Sequence, residues 1–172
     1  SFSEIFLART KGIGVIDAER AIAYGMSGPS LRACGVPMDV RKDEPYSVYD
    51  RFDFGIPIGE KGDSWDRYYV RVMEMRESIR IIEQALEQLP DGPTITPTRL
   101  VLRPPQGEVY VRGENPRGEI GVYLVSNGAD RPYRVKVRPP SFCNLMAIKE
   151  LLKDTYVADA VAILGSLDIV LG

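Results

Sequence analysis

The chain has 172 residues, a formal net charge of −2, 44% hydrophobic residues and 27% charged residues. This composition is typical of a folded protein with a buried core and excludes a disordered chain. The near balance of charge argues against nucleic acid or an anionic lipid surface as the main partner. No apolar run reaches the roughly 20 residues needed to cross a bilayer, so we expect any membrane attachment to come through partner proteins.

The amino-terminal part is predicted to contain short helices separated by glycine and proline. Ser1–Thr10 is typical of the end of a longer helix, which Lys11–Gly14 interrupts. Asp17 is placed to cap a second helix over Ala18–Tyr24, since its carboxylate can accept from a first-turn N–H. Residues 25–62 are rich in glycine and proline, which predicts a long irregular segment that covers a larger body or carries function.

One long helix is predicted from Asp63, as the cap, to Leu89, where Pro90 and Pro93 end it. Apolar residues recur along it at spacings of three and four, which predicts a stripe buried in the core. The stripe consists of Trp65, Tyr68, Val72, Met75, Ile79, Ile82, Leu86 and Leu89.

Alternating residues predict three strands, Glu108–Arg112, Glu119–Ser126 and Tyr133–Arg138. The last two flank Asn127-Gly128, a strong signal for a hairpin turn. Two helices are expected after about Phe142, and the last of them, apolar on nearly every side over Val157–Leu164, should be buried.

The predicted fold class is therefore α+β, a mainly helical body with a small antiparallel sheet. We expect a single unit over 1–172, with a helical body at 1–93, the sheet at 105–139 and terminal helices at 142–170. The apolar carboxyl end and the interrupted first helix favour a fragment of a longer polypeptide.

Residue types alone supply no catalytic signature. The chain has no histidine, which excludes histidine-dependent triads and metal sites within it. Cys34 and Cys143 form no Cys-x-x-Cys pair; a disulfide is compatible with the sequence, but buried reduced thiols are favoured. Gly12-Ile-Gly14 lacks the third glycine of a dinucleotide-binding loop.

Seven segments, collinear over nearly the whole chain, resemble the carboxy-terminal half of the D subunit of respiratory complex I. They are Gly28–Gly35, Arg41–Tyr46, Gly62–Tyr68, Ser78–Gln84, Pro116–Glu119, Tyr133–Arg138 and Leu164–Asp168. The chain departs from that family in a short linker between Gly92 and Gly107, in Cys34 at a serine position, and in lacking the closing Gly-Glu-Val-Asp-Arg tail.

The resemblance also implies a relation to the nickel–iron hydrogenase large subunit, and hence a body with that fold. The hydrogenases close on Asp-Pro-Cys-x-x-Cys, and aligning Asp168 with that aspartate places Ile169 and Val170 at the proline and the first cysteine. An aliphatic side chain cannot ligate nickel, whereas an apolar pocket suits a flat quinone head group.

On this resemblance, Asp168, Val170 and Arg117 are expected to line a quinone cavity, and Arg32 to face a subunit interface or an iron–sulfur cluster. Each residue has a structural alternative. Asp168 would be an acid at a helix end and Val170 a core residue. Arg117 would be a solvated charge of the hairpin, and Arg32 would belong to a buried structural ion pair. We expect Asp168 and Val170 to be the most informative of the four.

The implied function is one wall of the quinone-reducing module of a proton-pumping NADH:quinone oxidoreductase. Quinone is the expected substrate, and NAD, flavin and the iron–sulfur clusters are expected in partner subunits only. The fragment itself is expected to bind none of them and to be inactive alone. Expected partners are the terminal-cluster subunit and the membrane-arm subunits, at the cytoplasmic face of the cell membrane. The alternatives are a membrane-bound hydrogenase-like large subunit and an assembly scaffold without ligand contact.

Overall fold

The structure, a computed structural model, describes residues 3–97 and 101–170. These residues form α-helices and one three-stranded antiparallel sheet of order β1-β2-β3, which confirms the α+β class. The helices are α1 (Glu4–Ala8), α2 (Ala18–Ala23), α3 (Pro29–Arg32), α4 (Val40–Asp43), α5 (Ser64–Glu87), α6 (Pro140–Met146), α7 (Ile148–Leu151) and α8 (Ala160–Leu167). The strands are β1 (Gly107–Asn115), β2 (Gly118–Ser126) and β3 (Arg134–Arg138). The hydrogenase-like character of the body stays a prediction.

The apolar core lies between the amino-terminal helices and the last two helices. Its buried members are Ile16, Ala21, Met26, Leu31, Ala147, Leu151, Ile163 and Leu167. Ile163 and Leu167, one turn apart, fix one face of α8 in this core. The carboxyl end of α8 therefore has a defined position on the body.

The prediction that this last segment is buried on nearly every side is wrong for the described chain. Val157 is 92% exposed and Val161 is 79% exposed. A short helix that packs through one face leaves its other sides exposed whatever their polarity, and the described residues cover only the face of Ile163 and Leu167.

The predicted cap of the long helix is confirmed. The Asp63 carboxylate accepts from the N–H of Asp66 at 2.8 Å and from the N–H of Gly12 at 2.8 Å. It therefore caps α5 and fastens the first loop to it. The Asp17 cap of α2 is confirmed too, because its carboxylate accepts from the N–H of Arg20 at 2.8 Å.

The expected orientation of α5 is wrong. The predicted apolar stripe points mainly away from the described body, and Met75, Ile79, Ile82, Leu86 and Leu89 are all exposed. The face turned inward instead carries Ser64, Arg67 and Val70, which are buried. A polar face can pack inward because hydrogen bonds compensate the desolvation of its side chains.

The tight hairpin turn is at Pro116–Arg117, between the paired residues Asn115 and Gly118. Antiparallel pairing of β2 with β3 agrees with the sequence, but their connection is longer than the two-residue turn that Asn127-Gly128 predicted. The Asn127 side chain accepts from the N–H of Ala129 at 3.1 Å, so it starts a loop instead of closing a hairpin.

Hydrogen bonds between side chains and backbone groups fasten the turn of this β1–β2 hairpin to the helical body. Asn144 on α6 accepts from the N–H of Ser27 at 3.0 Å and donates to the carbonyl of Arg117 at 3.1 Å. The Ser27 hydroxyl accepts from the N–H of Glu119 at 3.1 Å.

The backbone of Gly28 lies directly against the hairpin turn. Gly28 has φ +63°, and a Cβ there would lie 2.3 Å from the Cα of Gly118. This close approach fixes where the backbone of Arg117 lies.

We expect Gly28→Ala to lower the free energy of unfolding by roughly 3 kcal/mol or more, because the strain of a positive φ and a backbone clash add. Gly12→Ala is the control: it has φ +70° but nothing within 4 Å. The control should lose only the cost of the left-handed backbone, about 1–2 kcal/mol. Urea unfolding of both variants makes the comparison, and equal losses would contradict a tight contact at Gly28.

Candidate functional site

A cleft of about 550 Å³ opens where α5, the β1–β2 turn and the end of α8 meet. Its polar lining consists of Arg32, Arg41, Arg71, Glu74, Ser78, Glu114, Asn115, Arg117 and Asp168. Its apolar and aromatic lining consists of Tyr49, Tyr68, Val72, Met75 and Pro116. The size is that of a small-molecule site, and the cleft combines apolar walls with several charged groups.

Arg117 and Asp168, both in the lining of the cleft, form an ion pair, with 2.8 Å between Nε and a carboxylate oxygen. Asp168 ends α8 in the left-handed conformation, with φ 53°, which aspartate tolerates better than most side chains. Arg117 belongs to the tight turn between β1 and β2. The ion pair therefore connects the end of α8 to the β1–β2 turn.

Arg71 holds the end of α8 against α5. Its guanidinium donates to the carbonyls of Ser166 at 2.8 Å and Leu167 at 3.3 Å, the last residues of α8. A cation at a helix carboxyl end is favourable because the terminal carbonyls there carry partial negative charge. Within the described residues, its buried Nε has no hydrogen-bond partner.

Arg32 is the most buried charge of the cleft, with 2% of its side chain exposed. It donates through Nε to Glu74 at 2.6 Å, and through Nη1 to Glu114 at 2.9 Å and to the Met38 carbonyl at 2.7 Å. Burial opposes its charge, but Glu74 and Glu114 outweigh that effect and raise its pKa. One guanidinium therefore joins α3, α5 and β1.

The two carboxyl groups on Arg32 differ from the neighbouring Asp39. Burial raises the pKa of Glu74 and of Glu114, although Arg32 acts against it in both cases. Burial also disfavours the ionised form of Asp39, but two hydrogen bonds from Arg41, at 2.9 and 2.6 Å, lower its pKa. Two acids that line the cleft, Glu74 and Glu114, thus bind protons more readily than usual, whereas Asp39 behind them ionises more readily than usual.

The structure brings three of the four sequence-predicted residues together, since Arg32, Arg117 and Asp168 all line this one cleft. Val170 lies outside its lining, 43% exposed, and its N–H donates to the Ser141 hydroxyl at 3.4 Å. That Val170 lines a quinone cavity stays a prediction.

Sequence reasoning missed Arg71, Glu74 and Glu114 as members of the site. Arg67, Arg71 and Glu74 follow each other at spacings of four and three, so they share one face of α5. This polar stripe is as regular as the apolar one and could have predicted that the helix packs through its polar face. For Glu114 the sequence gives only its position just before the tight turn, which is a weak indication of a role in the site.

Apart from the cleft, the described residues bear on metal binding, membrane crossing and the state of the two cysteines. Within 3–97 and 101–170, no group of three or more histidine, cysteine or acidic residues could hold a metal ion. In the same ranges no helix is long and apolar enough to cross a membrane. Cys34 and Cys143 are free, and burial raises the pKa of the Cys34 thiol to about 11.

The sequence matches the family model of the respiratory-chain NADH dehydrogenase 49 Kd subunit over residues 2–106 and 98–172. It is 54% identical to the D subunit of the NADH-quinone oxidoreductase of Bacillus mycoides, over 100% of this chain and 47% of that protein. The corresponding D subunits of Carboxydothermus hydrogenoformans and Dehalococcoides mccartyi are each 53% identical, over 99% and 100% of this chain and 47% of theirs. The chain therefore spans about half the length of these relatives.

The raised carboxyl pKa values predict how stability depends on pH. The folded chain binds the protons of Glu74 and Glu114 more tightly than the unfolded chain, where the ordinary pKa is 4.5. The resulting stabilisation is complete below that value and is lost as the pH rises through the folded-state pKa. We expect Glu74→Gln to gain stability relative to the unchanged chain as the pH rises above 4.5.

Urea unfolding at several pH values measures this difference. Glu83→Gln, an exposed position on the same helix, is the matched control and should show the pH slope of the unchanged chain. Parallel pH profiles for Glu74→Gln and the control would contradict the raised pKa of Glu74.

Proposed function

Because the chain belongs to the family of the respiratory-chain NADH dehydrogenase 49 Kd subunit, we propose that its cleft is one wall of the quinone-reducing site of an NADH-quinone oxidoreductase. The observation that carries this proposal is the ion pair of Arg117 and Asp168 in the lining of a cleft that also has apolar walls. The names of the relatives suggest the reaction, and the geometry of the cleft supports the proposed location.

The chemistry of the cleft fits a quinone head group. Such a ring is flat and apolar, and its two carbonyl oxygens are hydrogen-bond acceptors. Tyr68, Val72 and Met75 offer surface for the ring, and the guanidinium groups of Arg71 and Arg117 offer donors for a carbonyl oxygen. When the ring is reduced, negative charge develops on these oxygens, and nearby cations stabilise it.

Asp168 is proposed to set the direction of the Arg117 side chain. An arginine at the tip of a turn has many rotamers, and an ion pair at 2.8 Å restricts them. The pair is partly exposed, so we assign it an orienting role and only a small contribution to stability. Val170, two residues farther on, is proposed to complete the apolar wall once the rest of the complex is present.

The proposal includes the whole complex. Electrons from NADH would reach the quinone through flavin and iron–sulfur clusters that partner subunits hold, with the terminal cluster in a neighbouring subunit. Arg32 is proposed to lie on the side of the cleft that faces this neighbour. Quinone reduction would be coupled to proton translocation by membrane-arm subunits. The chain would be attached peripherally, at the cytoplasmic face, through these partners.

Kinetics of the intact complex with the full-length subunit test this proposal. We expect Asp168→Asn to raise the KM for quinone by about fivefold to tenfold, equivalent to about 1–1.4 kcal/mol of lost binding. Asparagine tolerates the left-handed backbone, so the variant removes charge without removing the turn. Arg117→Gln should have a larger effect because it removes the donor itself.

The chain provides a matched control in Asp154, a second aspartate with a left-handed backbone, at φ 56°. Asp154→Asn lies outside the cleft lining and should change the KM by less than about twofold. NADH oxidation by an artificial acceptor upstream of quinone should be unchanged in all variants. Normal assembly with unaltered quinone kinetics in both cleft variants would contradict the proposal and favour a scaffold role.

A further inference from the structure

The hairpin turn that carries Arg117 is packed against the helical body. A two-residue turn at the end of a β-hairpin usually lies in solvent, but this one lies on the residues just before α3. A Cβ on Gly28 would lie 2.7 Å from the carbonyl oxygen of Arg117, and a Cβ on Gly118 would lie 2.5 Å from the Ser27 hydroxyl. The backbone of the turn therefore has no room to move closer to the body.

One buried amide, the side chain of Asn144 on α6, joins the two sides of this contact. It is 0% exposed. Its oxygen accepts from the N–H of Ser27 at 3.0 Å, and its nitrogen donates to the carbonyl of Arg117 at 3.1 Å. Because a backbone N–H faces one end of the amide and a carbonyl faces the other, these neighbours determine its orientation. A carboxylate of the same size would satisfy only the N–H.

The same helix also contacts the chain next to the other member of the ion pair. Ser141, three residues before Asn144, accepts from the N–H of Val170 at 3.4 Å, a long hydrogen bond. Val170 follows Asp168 by two residues. One face of α6 therefore contacts the polypeptide on both sides of the pair. Asn144 holds the backbone of Arg117, whereas Asp168 holds its guanidinium, at 2.8 Å.

The place of the Arg117 backbone matters because the walls of the cleft come from separate elements. A flat ring would lie against Val72 and Met75 on α5, whereas Arg117 comes from the β1–β2 hairpin. The distance from the guanidinium to a ring oxygen therefore depends on how the hairpin is held against the helical body. A hydrogen bond needs about 2.7–3.2 Å between donor and acceptor, so a shift of the turn by about 1 Å weakens it.

We propose that Asn144 is a positioning residue for the ligand of the cleft and that it acts through Arg117. Asn144 does not itself belong to the cleft lining. This inference rests on the proposed function, because it takes Arg117 to be a donor to a quinone oxygen. It deepens that function by assigning the placement of this donor to a buried amide outside the cleft.

The experiment uses Asn144→Asp, Arg117→Gln and the double variant in the intact complex with the full-length subunit. Aspartate keeps the size of asparagine and the acceptor for the N–H of Ser27, but its ionised carboxylate repels the carbonyl of Arg117. We expect Asn144→Asp to raise the KM for quinone by about fivefold, the effect of about one lost hydrogen bond. NADH oxidation by an artificial acceptor upstream of quinone should be unchanged.

The double variant distinguishes positioning from a general structural role. Arg117→Gln removes the guanidinium but keeps the backbone carbonyl that Asn144 binds. If Asn144 acts through the guanidinium, the double variant should have the KM of Arg117→Gln alone, within about twofold. A KM raised by the product of the two single effects would overturn the inference, because Asn144 would then act independently of the guanidinium.

Asn127→Asp is the matched control. The Asn127 side chain also binds a backbone group, the N–H of Ala129, but it is exposed and lies outside the cleft lining. The control should change the KM by less than about twofold. If Asn144→Asp fails to assemble, Asn144→Ser takes its place in the same cycle. Serine introduces no charge and is too short to reach both backbone groups, so the same two outcomes decide the inference.

The outcomes separate this inference from the proposed function. A raised KM in both single variants, with no further rise in the double variant, supports the inference. A raised KM in Arg117→Gln with an unaltered KM in Asn144→Asp would overturn the positioning role and leave the quinone wall standing. An unaltered KM in both would overturn both. A raised KM in Asn144→Asp alone would overturn the inference and the donor role of Arg117 together.

Discussion

The structure depends on one buried arginine, Arg67, whose side chain is fully enclosed at 0% exposure. It donates to the carbonyls of Gly62 at 2.8 Å and Gly14 at 2.9 Å, and to the hydroxyls of Ser64 at 3.0 Å and Ser166 at 2.8 Å. Burial lowers its pKa to about 10, which still leaves it charged at neutral pH. None of these partners is a carboxylate, so carbonyl and hydroxyl dipoles stabilise the charge. They come from three segments: the loop at Gly14, the start of α5 and the end of α8. Moving any one of them away would leave a buried N–H donor without a partner.

This constraint determines which way α5 faces. Arg67, Arg71 and Glu74 form a polar seam along the inward side, and each fixes a different element: the first loop, the end of α8 and, through Arg32, the β1–β2 hairpin. The cleft follows from this seam, because its walls are the elements that the three side chains attach. The cost is that the apolar stripe from Met75 to Leu89 is exposed in the described chain. An amphipathic helix has one apolar and one polar side, and here ionic and backbone hydrogen bonds outweigh the burial of the apolar side.

Local features of the fold were predictable from the sequence because they depend on neighbours in the chain. Asp17 and Asp63 cap helices because a short carboxylate reaches an N–H three residues on, and the three strands follow the alternation of their side chains. The side of α5 that faces the body, the length of the loop after Asn127 and the exposure of Val161 depend on distant contacts, and local pattern predicted each of them wrongly. Arg32, Arg117 and Asp168 were predicted as site residues from the family resemblance alone. Glu74 and Glu114 could be found only once folding had brought two elements to the same guanidinium.

The arginines of α5 hold the end of α8, so that Asp168 lies beside Arg117 in the lining of the cleft proposed to bind quinone. The most direct measurement is a structure of the intact complex, with the full-length subunit, bound to a quinone analogue. We predict that the ring lies against Val72 and Met75, with a carbonyl oxygen within hydrogen-bond distance of Arg117 or Arg71. A cleft filled by side chains of another subunit, with the analogue bound elsewhere and Asp168 turned away from Arg117, would contradict this arrangement.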